Sequence, residues 1–141
     1  MSDRDILNNL ANDVANLAAR VVAQYGELYP VGVEMLPDGK TQYVGVKPAP
    51  NLPPAYVFLD RIIVQSREKA AQKQIIAVAV ASPSKTSDGK SAITVHAEHV
   101  SGFTVAIVIP YSLREAQPPA FQPPIYHQDA AQQIFQTLAK L

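Results

Sequence analysis

The densest grouping of chemically capable side chains in this 141-residue sequence is His96-Ala97-Glu98-His99. An imidazole and a carboxylate two residues apart can form a general base with its orienting partner, or give two ligands to a metal ion. On a strand, alternation puts His96 and Glu98 on one face and His99 on the other. A metal needs three or four converging ligands. The adjacent sequence supplies no third, and His127, in the tail, reaches the pair only through tertiary folding. No metal site is expected. Two readings of the pair stay open: a structural or solvated contact, and a ligand-binding role in a cleft. In the second reading Tyr111, closing the last predicted strand, is the further ligand-binding candidate.

Other motifs are weaker. Asp88-Gly89-Lys90-Ser91 ends like a phosphate loop, but that motif needs a glycine where Ser84 stands and must enter a helix, whereas Ser91 enters a strand. A turn is expected instead. Pro53-Pro54-Ala55-Tyr56 and Pro123-Pro124-Ile125-Tyr126 resemble ligands of WW domains, which grip a preformed polyproline helix. The first opens a helix, where proline has a local reason. The second, with Pro123, Pro124 and Tyr126, lies in a Pro-rich tail and is the peptide-motif candidate. Ser112 and Thr104 lack a nucleophile elbow. The six tyrosines suit core edges, where the ring is buried and the hydroxyl finds a partner.

Composition narrows the function classes. Twelve Lys+Arg balance 12 Asp+Glu, so a bulk electrostatic grip on nucleic acid is excluded. The absence of Cys excludes disulfides, thiolate metal sites and a cysteine nucleophile. No cofactor is implied. The charged start, Met1-Ser2-Asp3-Arg4-Asp5, is not followed by an apolar run, and the longest aliphatic stretch, Ile75 to Ala81, is far short of the ~20 residues a membrane helix needs. A cytoplasmic protein without membrane contact is the expectation.

The elements that must position these residues follow from periodicity. Leu7, Leu10, Val14, Leu17 and Val21 recur at helical spacing after a Ser2/Asp5 cap, with Gly26 as the stop. Packing of this helix on its own sheet is favoured over a coiled-coil seam. Val31–Leu36 and Thr41–Val46 flank Pro37-Asp38-Gly39-Lys40. Turn chemistry favours a three-residue loop, while the apolar pattern favours four, so the register stays open. Pro53-Pro54 open a second helix with Phe58, Leu59, Ile62, Ile63, Ser66 and Ala70 inward. Ile75–Ser82 shows no alternation, so both its faces should be covered. Ser91–His99 and Phe103–Pro110 form a hairpin around Val100-Ser101-Gly102, pairing His99 with Phe103 and Val95 with Ile107. Residues 116–125 should run extended over the surface, and Ala130, Ala131, Ile134, Phe135 and Leu138 suggest a short terminal helix.

The expected order, α-β-β-α-β-β-β-α, is an α+β fold: a five-stranded antiparallel sheet with packed helices. It comprises one domain over 1–115, with a Pro-rich strap and helix over 116–141 packed on it. By topology alone this resembles roadblock and profilin-like arrangements, an analogy that implies no site. Tyr29-Pro30-x-Gly32 opening a strand and Pro110-Tyr111 closing another are similar to small uncharacterised bacterial α+β proteins, a family with no assigned activity. The functional expectation is a non-enzymatic binding or regulatory module that self-associates as a homodimer. A partner copy would cover the third strand or the second helix if either lay near an edge. The alternative is a small-ligand binder or small enzyme using His96 and Glu98 in a cleft.

Overall fold

The computed structural model describes residues 2–45, 49–128 and 131–135. Helix α1 (Asp3–Tyr25) begins on the reciprocal cap expected from the sequence. The Asp5 N–H donates to Ser2 Oγ (3.1 Å), and the Ser2 N–H donates to Asp5 Oδ2 (3.2 Å). Its last N–H···O=C bond runs from Gly26 to Val22, and the φ of 75° at Gly26 then turns the chain out of the helix. Its buried stripe is Leu7, Leu10, Ala11, Val14, Ala15, Ala18 and Val22. Leu17, expected on that stripe, is only half-buried.

The strands are β1 (Val31–Met35), β2 (Thr41–Gly45), β3 (Ala77–Lys85), β4 (Ser91–His99), β5 (Thr104–Arg114), β6 (Gln117–Phe121) and β7 (Ile125–Gln128), with α2 (Ala55–Ala71) between β2 and β3. The architecture is α+β with an antiparallel sheet, as expected. The strand count is corrected from five to seven, and the element order changes with it. The sheet runs β2-β1-β3-β4-β5-β6, and β7 also pairs with β5. The physical reason lies in β5. It is long enough to pair β7 along Val105–Val108 and β6 along Tyr111–Arg114. The Pro-rich segment read as a surface strap is therefore drawn into the ladder as two short edge strands. Pro118 and Pro119 are tolerated there because neither is paired in the β5–β6 ladder, whose register shifts between Ser112 and Arg114. The terminal helix expected from Ala130 falls largely outside the described residues. Residues 131–135 are irregular, and Ile134 and Phe135 are buried.

The hairpins share one device. Leu36 and Lys40, Thr86 and Lys90, and His99 and Phe103 each close a three-residue loop with an N–H···O=C bond of 2.8, 2.8 and 2.9 Å. Each loop ends in a glycine at positive φ: Gly39 (87°), Gly89 (84°) and Gly102 (107°). Pro-Asp-Gly, Ser-Asp-Gly and Val-Ser-Gly thus do the same job, and Asp88-Gly89-Lys90-Ser91 is a hairpin turn. The register of the β4–β5 hairpin is the one expected, with Ala97 opposite Val105 and Ile93 opposite Ile109. In the β1–β2 hairpin, turn chemistry prevails over the apolar pattern. Both sheet faces are covered at this end, so Val33 can face α1 while Val44 faces α2.

Helix α1 covers one face over β1, β3, β4 and β5, and α2 covers the other over β2 and β3. Strand β3, lying centrally, is buried on both sides from Ala77 to Ala81. Its apolar character is satisfied within the chain and requires no partner copy. Pro83 sits where β3 has run past the end of β1, so its missing N–H interrupts no bond on that side.

Candidate functional site

The second face of the sheet, opposite α1, carries two fully buried carboxylates. Glu34 on β1 and Glu98 on β4 both lie opposite Val78 of β3, one on each side. Burial alone would push each carboxyl up, and in each case hydrogen bonds outweigh burial and hold it below the ordinary glutamate value. The partners differ.

Glu98 accepts from backbone. The Gln133 N–H reaches Oε2 at 2.7 Å, the Ile134 N–H is shared between both oxygens at 3.0 Å, and the Phe135 N–H reaches Oε1 at 3.1 Å. His96 Nε2 lies 2.6 Å from Oε2. A carboxylate only accepts, so Nε2 carries the proton and donates. This fixes what His96 can do. Its Nε2 is occupied, and only Nδ1 remains for a proton transfer. The neighbouring hydroxyls of this face, Ser84 and Thr94, bond to each other at 2.6 Å. Successive N–H groups converging on one anion are the means by which backbone holds negative charge. Here the anion belongs to the chain itself, so the arrangement is a clasp that ties residues 133–135 to β4.

Glu34 accepts from side chains: Ser66 Oγ (2.7 Å) and Lys69 Nζ (2.8 Å) on α2, and Gln42 Nε2 (2.9 Å) on β2. It anchors α2 to the sheet. The signal for it was an acid inside the apolar strand Val31-Gly32-Val33-Glu34-Met35 together with Ser66 inside the apolar stripe of α2. A buried hydroxyl and a buried acid each require a partner.

The remaining candidates are dispersed. His99 lies on the α1 face as alternation demands, its Nδ1 accepting the Ser101 N–H at 3.0 Å and its Nε2 3.7 Å from Asp3. Tyr111 also lies on the α1 face, buried in that core and tilted against Phe121. Burial pushes its phenol up, opposed by a hydrogen bond with Ser91. The sheet thus separates Tyr111 from His96 and Glu98. His127 on β7 shares their face, with Ala106 of β5 between it and His96 in the register. No cluster of three or more metal-ligating side chains occurs among the described residues. Pro123 and Pro124 lead into β7, where Ile125 and Tyr126 pair with β5 and the Tyr126 hydroxyl donates to Asn12 at 3.4 Å. A WW-type grip would have to peel β7 from the sheet.

Two of the grooves that α1 helps to line lie on opposite sides of it. One, of about 230 Å³, is lined by Leu10, Asp13, Leu17, Arg20, Thr41 and Tyr43 among others, beside β2. The other, of about 170 Å³, is lined by Asn8, Asn12, Val105, Tyr126 and Gln128 among others, beside β7. Neither contains His96 or Glu98. No helix among the described residues is long and apolar enough to cross a membrane. Compared with protein-family models, curated proteins and solved structures, the chain finds no match.

Proposed function

We propose that this chain is a non-catalytic binding module that acts through self-association, as a homodimer. One observation carries the reading: both oxygens of Glu98 are taken up by the chain's own backbone and by His96 Nε2. A general base must offer a free lone pair to substrate, and a cleft binder must present its polar groups to a cavity. Glu98 has no such lone pair to offer, and neither Glu98 nor His96 lines the grooves beside α1. Association surfaces are what the exterior offers instead. The sheet has open strand edges, and Tyr43, Tyr56, Ile125 and Tyr126 stand exposed. The balanced charge sets no electrostatic barrier between two copies.

Sedimentation velocity over a micromolar dilution series tests this. The expected species has twice the 15.3 kDa chain mass at the upper concentrations and dissociates on dilution. A single 15.3 kDa species at every concentration contradicts it.

A further inference from the structure

Resting on that self-association reading, we infer that the second copy joins at the β2 edge, with β2 lying antiparallel to β2 of its partner and centred on Tyr43. The hydrogen-bond phase of the first hairpin selects the groups that face outward. Leu36 and Lys40 bond across the turn at 2.8 Å. Antiparallel alternation then makes Gln42 and Val44 the next residues of β2 to bond β1. Thr41 and Tyr43 therefore turn their N–H and C=O groups to the open side, and Gly45, at the end of β2 with φ 132°, turns its N–H there. Their side chains point to the α1 face, where Thr41 and Tyr43 line the groove that also holds Leu17, Asp13 and Arg20.

This edge lacks the usual protection. Natural sheets guard an edge with proline, charge or a very short strand. β2 reads Thr-Gln-Tyr-Val-Gly, without charge or proline, and Tyr43 is 77% exposed. At the opposite end β6 contains Pro118 and Pro119, while β7, itself without charge or proline, is one residue shorter than β2 and has Tyr126 and Gln128 hydrogen-bonded through their side chains to Asn12 and Arg4 of α1.

The strand is also complementary to itself. A two-fold axis at Tyr43 sets Tyr43 opposite its counterpart, Thr41 opposite Gly45, and Gln42 opposite Val44. The outward N–H groups of Tyr43 and Gly45 then meet the outward C=O groups of Tyr43 and Thr41 across the axis, and no like charges face one another. Thr41 meets a residue with no side chain. The two Tyr43 rings meet side by side at the mouths of the two α1 grooves. The occupant is a second copy of this chain, and the product is one sheet continuous across the dimer.

Light scattering of the full chain over a dilution series, with two variants, tests the surface. Tyr43→Lys places like charges face to face on the axis, and the dimer dissociation constant rises at least ~10-fold. Ile125→Lys, on β7 at the competing edge, leaves it unchanged. Both positions are exposed, and circular dichroism at a dilution where every chain is monomeric checks that each variant folds. A dimer that Tyr43→Lys leaves intact overturns the β2 surface while self-association stands. A dimer broken by Ile125→Lys moves the interface to the other end and also overturns it. A wild-type chain that stays monomeric throughout overturns both.

Discussion

The two sides of the central strand β3 solve the same problem with different materials. Each buries one carboxylate on the face away from α1, and each uses it to hold a segment against the strands. At the β2–β1 end Glu34 works through side chains of α2 and β2, and the ammonium of Lys69 keeps partial access to water. At the β4–β5 end Glu98 works through backbone N–H groups that have been withdrawn from water. The difference teaches which end tolerates disturbance. A side-chain clamp can relax its partners into solvent, whereas a backbone clamp leaves buried donors with nothing to bond. The edges differ in the same sense. Beyond β5 the Glu98 side is closed by β6, which bears two prolines, and by the four-residue β7, and the Glu34 side stops at β2, which bears no proline and no charge.

Glu98→Ala should break this comparison hardest. It orphans the N–H groups of Gln133, Ile134 and Phe135 together with His96, and should cost about 3–4 kcal/mol in denaturant unfolding. A loss below about 1 kcal/mol would mean that the clasp is not holding residues 133–135. Next comes Gly32→Ala, which probes backbone fit instead of charge at the other end. A Cβ on Gly32 would stand 2.6 Å from the Ala79 carbonyl oxygen and 3.2 Å from Val80 Cγ2. Strands β1 and β3 must separate to admit it, at about 2 kcal/mol. Unchanged stability would show that β1 shifts freely. Glu34→Ala should be milder, about 1–2 kcal/mol, because Lys69 can turn outward and leave mainly the Ser66 hydroxyl to be satisfied. Equal losses at Glu34 and Glu98 would erase the distinction between the two clamps.

Acid is the gentlest perturbation and acts on both ends. Both carboxyls titrate below the usual 4.5 in the folded chain. Their contribution is therefore fully present above that value and is lost as pH falls through the lowered ones. Thermal melts from pH 7 to pH 3 should be flat on this account until below 4.5 and then fall. In Glu34→Ala/Glu98→Ala the acid-dependent drop should shrink. A double variant with an undiminished acid transition would assign that transition to other groups.

The parts of this fold readable from sequence were those fixed by local chemistry. Ser2 and Asp5 announce the start of α1, Gly26 its stop, and the glycines at 39, 89 and 102 the hairpins, because these residues act on backbone within four positions of themselves. What escaped depends on distant partners. The apolar pattern of β1–β2 points to a one-sided hairpin because it carries no mark of α2, a separate element that covers the second face. The prolines of 118–124 spoke for a strap because the spare length of β5, which accepts them as edge strands, is a tertiary fact. The strand reading put His96 and Glu98 on one face. The closing of Glu98 by the N–H groups of 133–135 leaves no trace in side-chain identity, since any residue except proline offers an N–H.

Concentration-dependent hydrogen exchange compares the two ends most directly. The amides of Thr41, Tyr43 and Gly45 point outward at the unguarded edge, and by the same phase rule those of Tyr126 and Gln128 point outward from β7. On raising the protein concentration through the association range, protection should grow at Tyr43 and Gly45 and stay constant at Tyr126 and Gln128. Protection that grows at β7, or that leaves the β2 amides exchanging freely in a species of doubled mass, would contradict the account.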